Sequence, residues 1–298
     1  MSLRFYAKSF LTISLASAGL AHATEQDWRP LLNEKMTGWE VWLGRPHPSI
    51  QGLPADLPAD EKGKKLPLGL GNDPKGVFTM KMQDGEPVLR ISGEIWGGLT
   101  TTETFTSYHL RTQIKWGELK WEPRLDRVRD NGILYHCTGE HGAGGGNWKK
   151  SLEFQVQEGD MGDFWQVAGT RADIRAVQVE KDFFYDPKGE VRRFGEAEME
   201  GVTKAHVAHL RGDFEKPHGE WNTLDLYVVG RDAVHVVNGT VVLVLRNASA
   251  VDKETKTETP LTSGQIQIQS EAAECFYRRM EIRPLVEFPA DLRKAAGL

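Results

Sequence analysis

Apolar and polar residues alternate with a period of two over much of this chain, the spacing of strands that bury one face. Val77–Met82 carries the alternation into a turn at Asp84-Gly85, and Val88–Ser92 carries it out again. Tyr108–Trp116 alternates cleanly, and further strand-like runs are Gly132–Cys137, Ser151–Gln157, Asn222–Val229, Ala233–Val237, Thr240–Leu245, Gly264–Gln269 and Cys275–Ile282. Asn238-Gly239 lies between two of them and predicts a hairpin, because both residues accept the positive φ of a tight two-residue turn. Helical spacing is nowhere sustained beyond about two turns. Many short strands separated by turns predict an all-β fold, an antiparallel sandwich or barrel.

Three segments depart from the pattern. Asp27–Leu43 carries Trp28, Leu31, Leu32, Trp39, Val41 and Trp42 and reads as an edge segment that packs aromatics onto the core. Gly44–Gly76 is dense in Pro and Gly and predicts a long surface loop. Arg171–Pro217 is charged and irregular and reads as an insertion on the same domain. No internal repeat is present.

The first residues read as an address. Arg4 and Lys8 precede an apolar stretch, Phe10–Leu20, and Ala21-His22-Ala23 offers small residues at a cleavage site. This is the layout of a secretory signal peptide, residues 1–23, followed by one domain over residues 24–298, and it predicts a periplasmic or secreted protein. Processing removes two basic residues and leaves 35 basic against 42 acidic side chains, a net charge of −7. That balance argues against a nucleic-acid partner, which needs a basic face. No run reaches the roughly 18 apolar residues of a membrane span. Cys137 and Cys275 are the only cysteines; export permits a disulfide, and spacing leaves open whether they pair.

Candidate chemistry gathers between Asp130 and Trp165. The Gly142–Gly146 loop lacks the spacing of a phosphate cradle and no helix follows it. In the run Ser151–Gln157, Leu152, Phe154 and Val156 take one face, and Glu153, Gln155 and Gln157 take the other. Gln265, Gln267, Gln269 and Glu271 repeat the design against Ile266 and Ile268. Two amide rows make a face suited to carbohydrate, whose hydroxyls need donors and acceptors together. Trp148, Phe164 and Trp165 are near enough in sequence to stack on a sugar ring. His136, His141, Glu140, Glu158, Asp160 and Asp163 crowd the same stretch, without the spacing of a zinc motif.

These residues resemble a known family. WRPLLNEKMTGW (Trp28–Trp39) is similar to its opening motif, DNGILYH (Asp130–His136) to its N-S-G-I-x-x-R segment, and LEFQVQE (Leu152–Glu158) to its central E-x-Q-x-x-D. Gly264–Gln269 and YRRMEI (Tyr277–Ile282) resemble its two closing motifs. The family is the 3-keto-disaccharide hydrolase domain, formerly DUF1080, associated with 3-keto-glycoside lyase, hydratase or hydrolase activity. The resemblance covers nearly all of the mature chain. It implies a concanavalin A-like jelly-roll β-sandwich and a 3-keto-glycoside, or another carbohydrate, as partner. A ketone at C3 acidifies the C2 proton, so a base forms an enolate that expels the C1 substituent.

By that resemblance Glu153, Gln155 and Gln269 match family positions, Glu158 stands where Asp is usual, and His136 stands where Arg is usual. Arg278 matches the closing Arg. It shares strand phase with Met280 and Ile282, which points it inward toward Glu153 unless a bulge intervenes. The expected catalytic residues are His136 and Glu153. The expected substrate-binding residues are Gln155, Glu158, Trp165, Gln269 and Arg278. A divalent metal ion bridging the keto and hydroxyl oxygens is a candidate cofactor. Two other classes remain open: a non-catalytic carbohydrate-binding module of the same fold, and a two-carboxylate glycosidase using Glu153 and Glu158, which odd strand spacing disfavours.

Overall fold

Strand alternation becomes two antiparallel sheets packed face to face. The structure is a computed structural model and describes residues 28–195 and 207–298; the expected signal peptide lies outside them. In chain order the strands are β1 (Arg29–Pro30), β2 (Trp39–Leu43), β3 (Gly69–Leu70), β4 (Phe78–Gln83), β5 (Glu86–Ile91), β6 (Gly97–Thr101), β7 (Tyr108–Lys120), β8 (Asp130–Thr138), β9 (Lys150–Gln157) and β10 (Phe164–Val167). They continue as β11 (Thr170–Val179), β12 (Asp182–Tyr185), β13 (Glu190–Gly195), β14 (Val207–Ala208), β15 (Asn222–Val229), β16 (Asp232–Val237), β17 (Thr240–Val251), β18 (Glu258–Pro260), β19 (Gln265–Ser270) and β20 (Ala273–Pro284), and the helix α1 (Ala290–Ala296) follows.

The larger sheet runs β12-β11-β17-β16-β15-β7-β20-β5-β4, with β1, β13 and β18 pairing at its margins. The smaller runs β14-β10-β9-β8-β19-β6-β2-β3. Sequence neighbours such as β19 and β20 sit on different sheets, so the fold is the concanavalin-like jelly-roll sandwich. Leu99, Ile133, Tyr135, Leu152, Phe154, Ile266 and Ile268 of the smaller sheet meet Leu110, Ile114, Leu224, Leu226, Leu243 and Tyr277 of the larger one in a single core. Burying each such side chain contributes roughly 1.5–3 kcal/mol.

One detail corrects the sequence reading and two extend it. Arg171–Gly195 is not irregular: it forms β11, β12 and β13, which extend the larger sheet. Its inward positions are Ala172, Ile174 and Ala176, and the small alanines weaken the apolar signal. Helix α1 lies on the outer face of the larger sheet, where Phe288, Leu292 and Ala296 cover Val234, Val236 and Val244. It spans only seven residues, too short for a helical period to show. Cys137 and Cys275 are free, buried thiols on opposite sheets. The segment 44–76 is loop apart from the short β3.

Candidate active site

The face of the smaller sheet turned away from the core carries the predicted amide rows. Registers place Trp165, Glu153, Leu134, Gln267, Thr100 and Glu40 opposite one another across β10, β9, β8, β19, β6 and β2. The next row is Gln155, Gly132, Gln269, Gly98 and Trp42, and beyond it Asp130 faces Gln157 and Glu271. Gly132 makes the middle of this surface workable. A Cβ there would stand 2.2 Å from Glu153 Oε1 and 2.7 Å from Gln269 Oε1, so both side chains lie over the glycine.

A solvated sheet face leaves such residues exposed, but these are covered. Glu153 is 6% exposed, Gln155 4%, Gln269 1% and Asp130 2%. Loops form the roof. Arg124, from the turn after β7, places one guanidinium nitrogen 2.5 Å from Asp130 Oδ2 and 2.9 Å from Glu271 Oε1. Trp148 packs on Leu134 and Val167 and stacks on Trp96, ring centroids 5.7 Å apart. The Lys149 backbone N–H donates to Gln267 Oε1 at 3.0 Å.

The result is three nearly buried carboxyls, Asp130, Glu153 and Glu271, around one guanidinium. Burial first, then the charges of Asp130 and Glu271, push the Glu153 carboxyl well above the usual range; a hydrogen bond from Gln269 and the charge of Arg124 oppose this. Burial, then Glu271, raises Asp130 as well. Lys149 is buried too. Its ammonium has no carboxylate or hydrogen-bond partner among the described residues. Both it and Glu153 act on the Cys137 thiol, which burial pushes up to about 12.

The structure brings Glu153, Gln155, Gln269 and Trp165 together, with Trp165 the exposed member at 37%. It separates the other three expected residues. His136 has φ of 52° at a bulge in β8. The bulge turns its ring away from the amide rows, and Nε2 lies 3.0 Å from the Gly230 carbonyl in a turn of the larger sheet. Burial lowers its pKa to about 4, so it sits neutral between the layers. Glu158 follows β9 and is held by Arg129, whose backbone N–H donates at 2.8 Å and whose guanidinium donates at 3.0 Å. Arg278 is on the outer face of the larger sheet, because Arg279 at φ 48° is a bulge that shifts the strand phase. Its guanidinium donates to Gln113 Oε1 at 2.8 Å and lies over Trp221 at 4.1 Å.

Sequence reasoning missed Arg124, Lys149 and the Glu40–His141 pair, whose atoms are 3.0 Å apart with His141 stacked on Trp42. Only tertiary contact reveals them. The one convergent group of metal-binding side chains among the described residues is Asp160, Asp163 and His209. Asp163 there already accepts from His209 Nδ1 and from the Leu210 N–H, both at 2.5 Å, and Asp160 accepts from Gln157 at 2.7 Å.

A profile of the 3-keto-alpha-glucoside-1,2-lyase-like domain matches residues 27–283. The chain belongs to this family. No curated protein matches it. Among solved structures it is similar to a provisionally named glycosyl hydrolase from Parabacteroides distasonis, at 14% identity and TM-score 0.43 over 87% of this chain and 100% of the other. It is also similar to the alginate lyase AlyC3, at 12% identity and TM-score 0.40 over 83% and 90% of the two chains. The carbohydrate binding module CBM66 from Bacillus subtilis matches at 7% identity and TM-score 0.39 over 68% and 89%. Membership in the 3-keto-alpha-glucoside-1,2-lyase-like family supports a carbohydrate-processing enzyme. No helix among the described residues is long and apolar enough to cross a membrane.

Proposed function

We propose that the protein is an exported enzyme that cleaves 3-keto-glycosides by elimination across C1–C2, with Glu153 as the base. The observation that carries this reading is the Glu153 carboxyl: nearly buried, raised in pKa by that burial first and then by two neighbouring carboxyls, and one strand from the exposed ring of Trp165. A raised pKa makes a carboxylate a stronger base, which C2 proton removal needs.

In this reading the sugar stacks on Trp165, and Gln155 and Gln269 meet its hydroxyls. Glu153 takes the C2 proton. The electrons of that bond form the enolate of the C3 ketone, and Lys149 supplies positive charge to the enolate oxygen. The enolate then expels the C1 oxygen, which takes up a proton as it leaves. The products are a 2-hydroxy-3-keto-glycal and the free aglycone, and hydration of the glycal gives the 3-keto sugar. No step runs through a metal.

Incubation with 3-keto-trehalose and with unoxidised trehalose tests the proposal. We expect the keto form alone to be consumed, solvent deuterium to enter C2 of recovered substrate, and Glu153→Gln to lower turnover about 100-fold or more. Equal turnover of the unoxidised sugar would instead favour a two-carboxylate hydrolase. Binding of the keto sugar without any turnover would leave a carbohydrate-binding module.

A further inference from the structure

The sandwich buries two polar side chains behind the amide face that the proposed reaction does not use. Asn131 of β8 and Tyr277 of β20 are both fully buried. Asn131 precedes Gly132, so alternation turns it from the amide face into the core, where Tyr277 of the larger sheet lies. The Tyr277 hydroxyl donates to Asn131 Oδ1 at 2.6 Å, and Asn131 Nδ2 donates to the Gln269 carbonyl at 2.5 Å. A backbone carbonyl only accepts, which fixes the two ends of the Asn131 amide. The larger sheet thereby reaches through the smaller one to the backbone of a site residue.

That carbonyl stands where the sheet stops pairing. Continuous pairing of β8 with β19 runs to Ile133–Ile268, and a single bridge beyond it joins Asp130 to Glu271. Gly132 and Gln269 fall in the gap between. On its other side Gln269 pairs with Gly98 of β6. On the β8 side the Asn131 amide takes the place of a ladder hydrogen bond. A buried carbonyl needs a donor, and a buried amide needs partners at both ends; here each group satisfies the next. Burial first, then Cys275 and Glu153, raise the Tyr277 hydroxyl well above its usual pKa, so it stays a donor.

We infer that Asn131 and Tyr277 are positioning residues: they hold the Gln269 backbone at the gap in the ladder and so keep the Gln269 side chain on Glu153. The inference rests on the proposed reaction for the role of Glu153. The Gln269 side chain meets the Glu153 carboxyl over Gly132 and hydrogen-bonds to it. Such a bond tolerates little displacement, and a misplacement of about 1 Å at a reacting group costs up to about 100-fold in rate. Without the Tyr277 hydroxyl the Asn131 amide keeps one anchor of two. It is then free to turn and release the Gln269 carbonyl, and the side chain on that backbone loses its register with Glu153.

The test compares Tyr277→Phe with a matched control, Tyr135→Phe. The Tyr135 hydroxyl is as deeply buried and is bonded too, to His235 at 3.0 Å, but that contact does not lead to the amide face. Nuclear magnetic resonance follows the substrate-free mature chain, with carbon-13 in the glutamate carboxyls and nitrogen-15 in the glutamine amides. Glu153→Gln and Gln269→Glu assign the two signals. We expect Tyr277→Phe to shift the Gln269 amide signal and to raise the pH at which Glu153 titrates, because the lost hydrogen bond favoured the charged carboxylate. It should also lower kcat/KM for 3-keto-trehalose about tenfold or more, whereas Tyr135→Phe leaves all three at parent values. Asp130, Glu271 and Arg124, the charged groups beside Glu153, are the same in every protein compared. An unmoved Gln269 signal and Glu153 titration in Tyr277→Phe, or equal changes in Tyr135→Phe, would overturn the inference. Where Tyr277→Phe fails to fold, the unsubstituted protein decides: the Asn131 amide protons should persist in deuterated water, and their immediate exchange would overturn it as well. Shifts of both signals without turnover of any keto sugar remove only the reaction. Turnover with both signals unmoved removes only the positioning.

Discussion

Glu153 and His136 exchange the roles that their residue types suggest. Histidine is the usual base near neutral pH, but His136 is enclosed between the sheets with its Nε2 bonded to a carbonyl. Glu153 holds the shifted carboxyl on the amide face. A carboxyl whose folded pKa lies above its unfolded value stabilises the protein below the unfolded pKa, and that stability is lost as pH rises through the folded pKa. Glu153→Gln should lower turnover about 100-fold or more and yet raise the unfolding temperature at pH 7.5, by about 1 kcal/mol of stability or more, while at pH 4 the two proteins unfold alike. Thermal scans at both pH values check this, and a lower midpoint at pH 7.5 would count against it. His136→Ala should do the opposite. It leaves a cavity and an orphaned Gly230 carbonyl, costing about 2 kcal/mol in urea unfolding, while turnover of the folded protein stays within about threefold. A 100-fold loss of turnover at unchanged stability would return the base role to His136.

At the scale of strands, much of the site was readable in advance and two elements were not. Period-two alternation put Glu153 with Gln155 and Gln267 with Gln269 on the face away from the core, and the registers of β9 and β19 keep them there. Phase fails where a single residue with positive φ interrupts a strand. His136 in β8 and Arg279 in β20 both have left-handed backbones without the Gly or Asn that advertises one. Each bulge sends a side chain to a surface the simple alternation does not predict. The roof is illegible for another reason: Arg124 and Trp148 reach the site from loops, and their partners are distant in sequence. Gly132 is the converse, an ordinary glycine in sequence that decides the geometry. The atoms a Cβ would meet there are the ends of flexible side chains, so Gly132→Ala displaces the Glu153 carboxyl without unseating the strand. Turnover should fall about tenfold or more while stability changes by no more than about 1 kcal/mol. Unchanged turnover would show that the carboxyl position does not matter to the reaction.

The two layers are tied together by neutral histidines, and this gives the whole molecule its response to acid. His136 reaches from the smaller sheet to Gly230, and His235 reaches from the larger sheet to the Tyr135 hydroxyl at 3.0 Å and the Gly162 carbonyl at 2.9 Å. Its ring also stacks on Phe154 at 4.3 Å. Burial lowers both pKa values to about 4. A depressed histidine stabilises the protein above its unfolded pKa near 6.5, and the stability is lost as pH falls through that value toward 4, because only the unfolded chain binds the proton. Between pH 6 and pH 5 each histidine contributes a slope of about 1.2 kcal/mol per pH unit. The raised carboxyls Glu153 and Asp130 act in the opposite sense over part of the same range, so the total slope mixes the two groups. A difference between variants separates them. His235→Gln, compared with the parent in urea at pH 6.0 and pH 5.0, should be less stable at both values but flatter by about 1.2 kcal/mol across the interval. A parallel loss at both pH values would mean that His235 is protonated in the folded sandwich, with a charge accommodated between its two sheets.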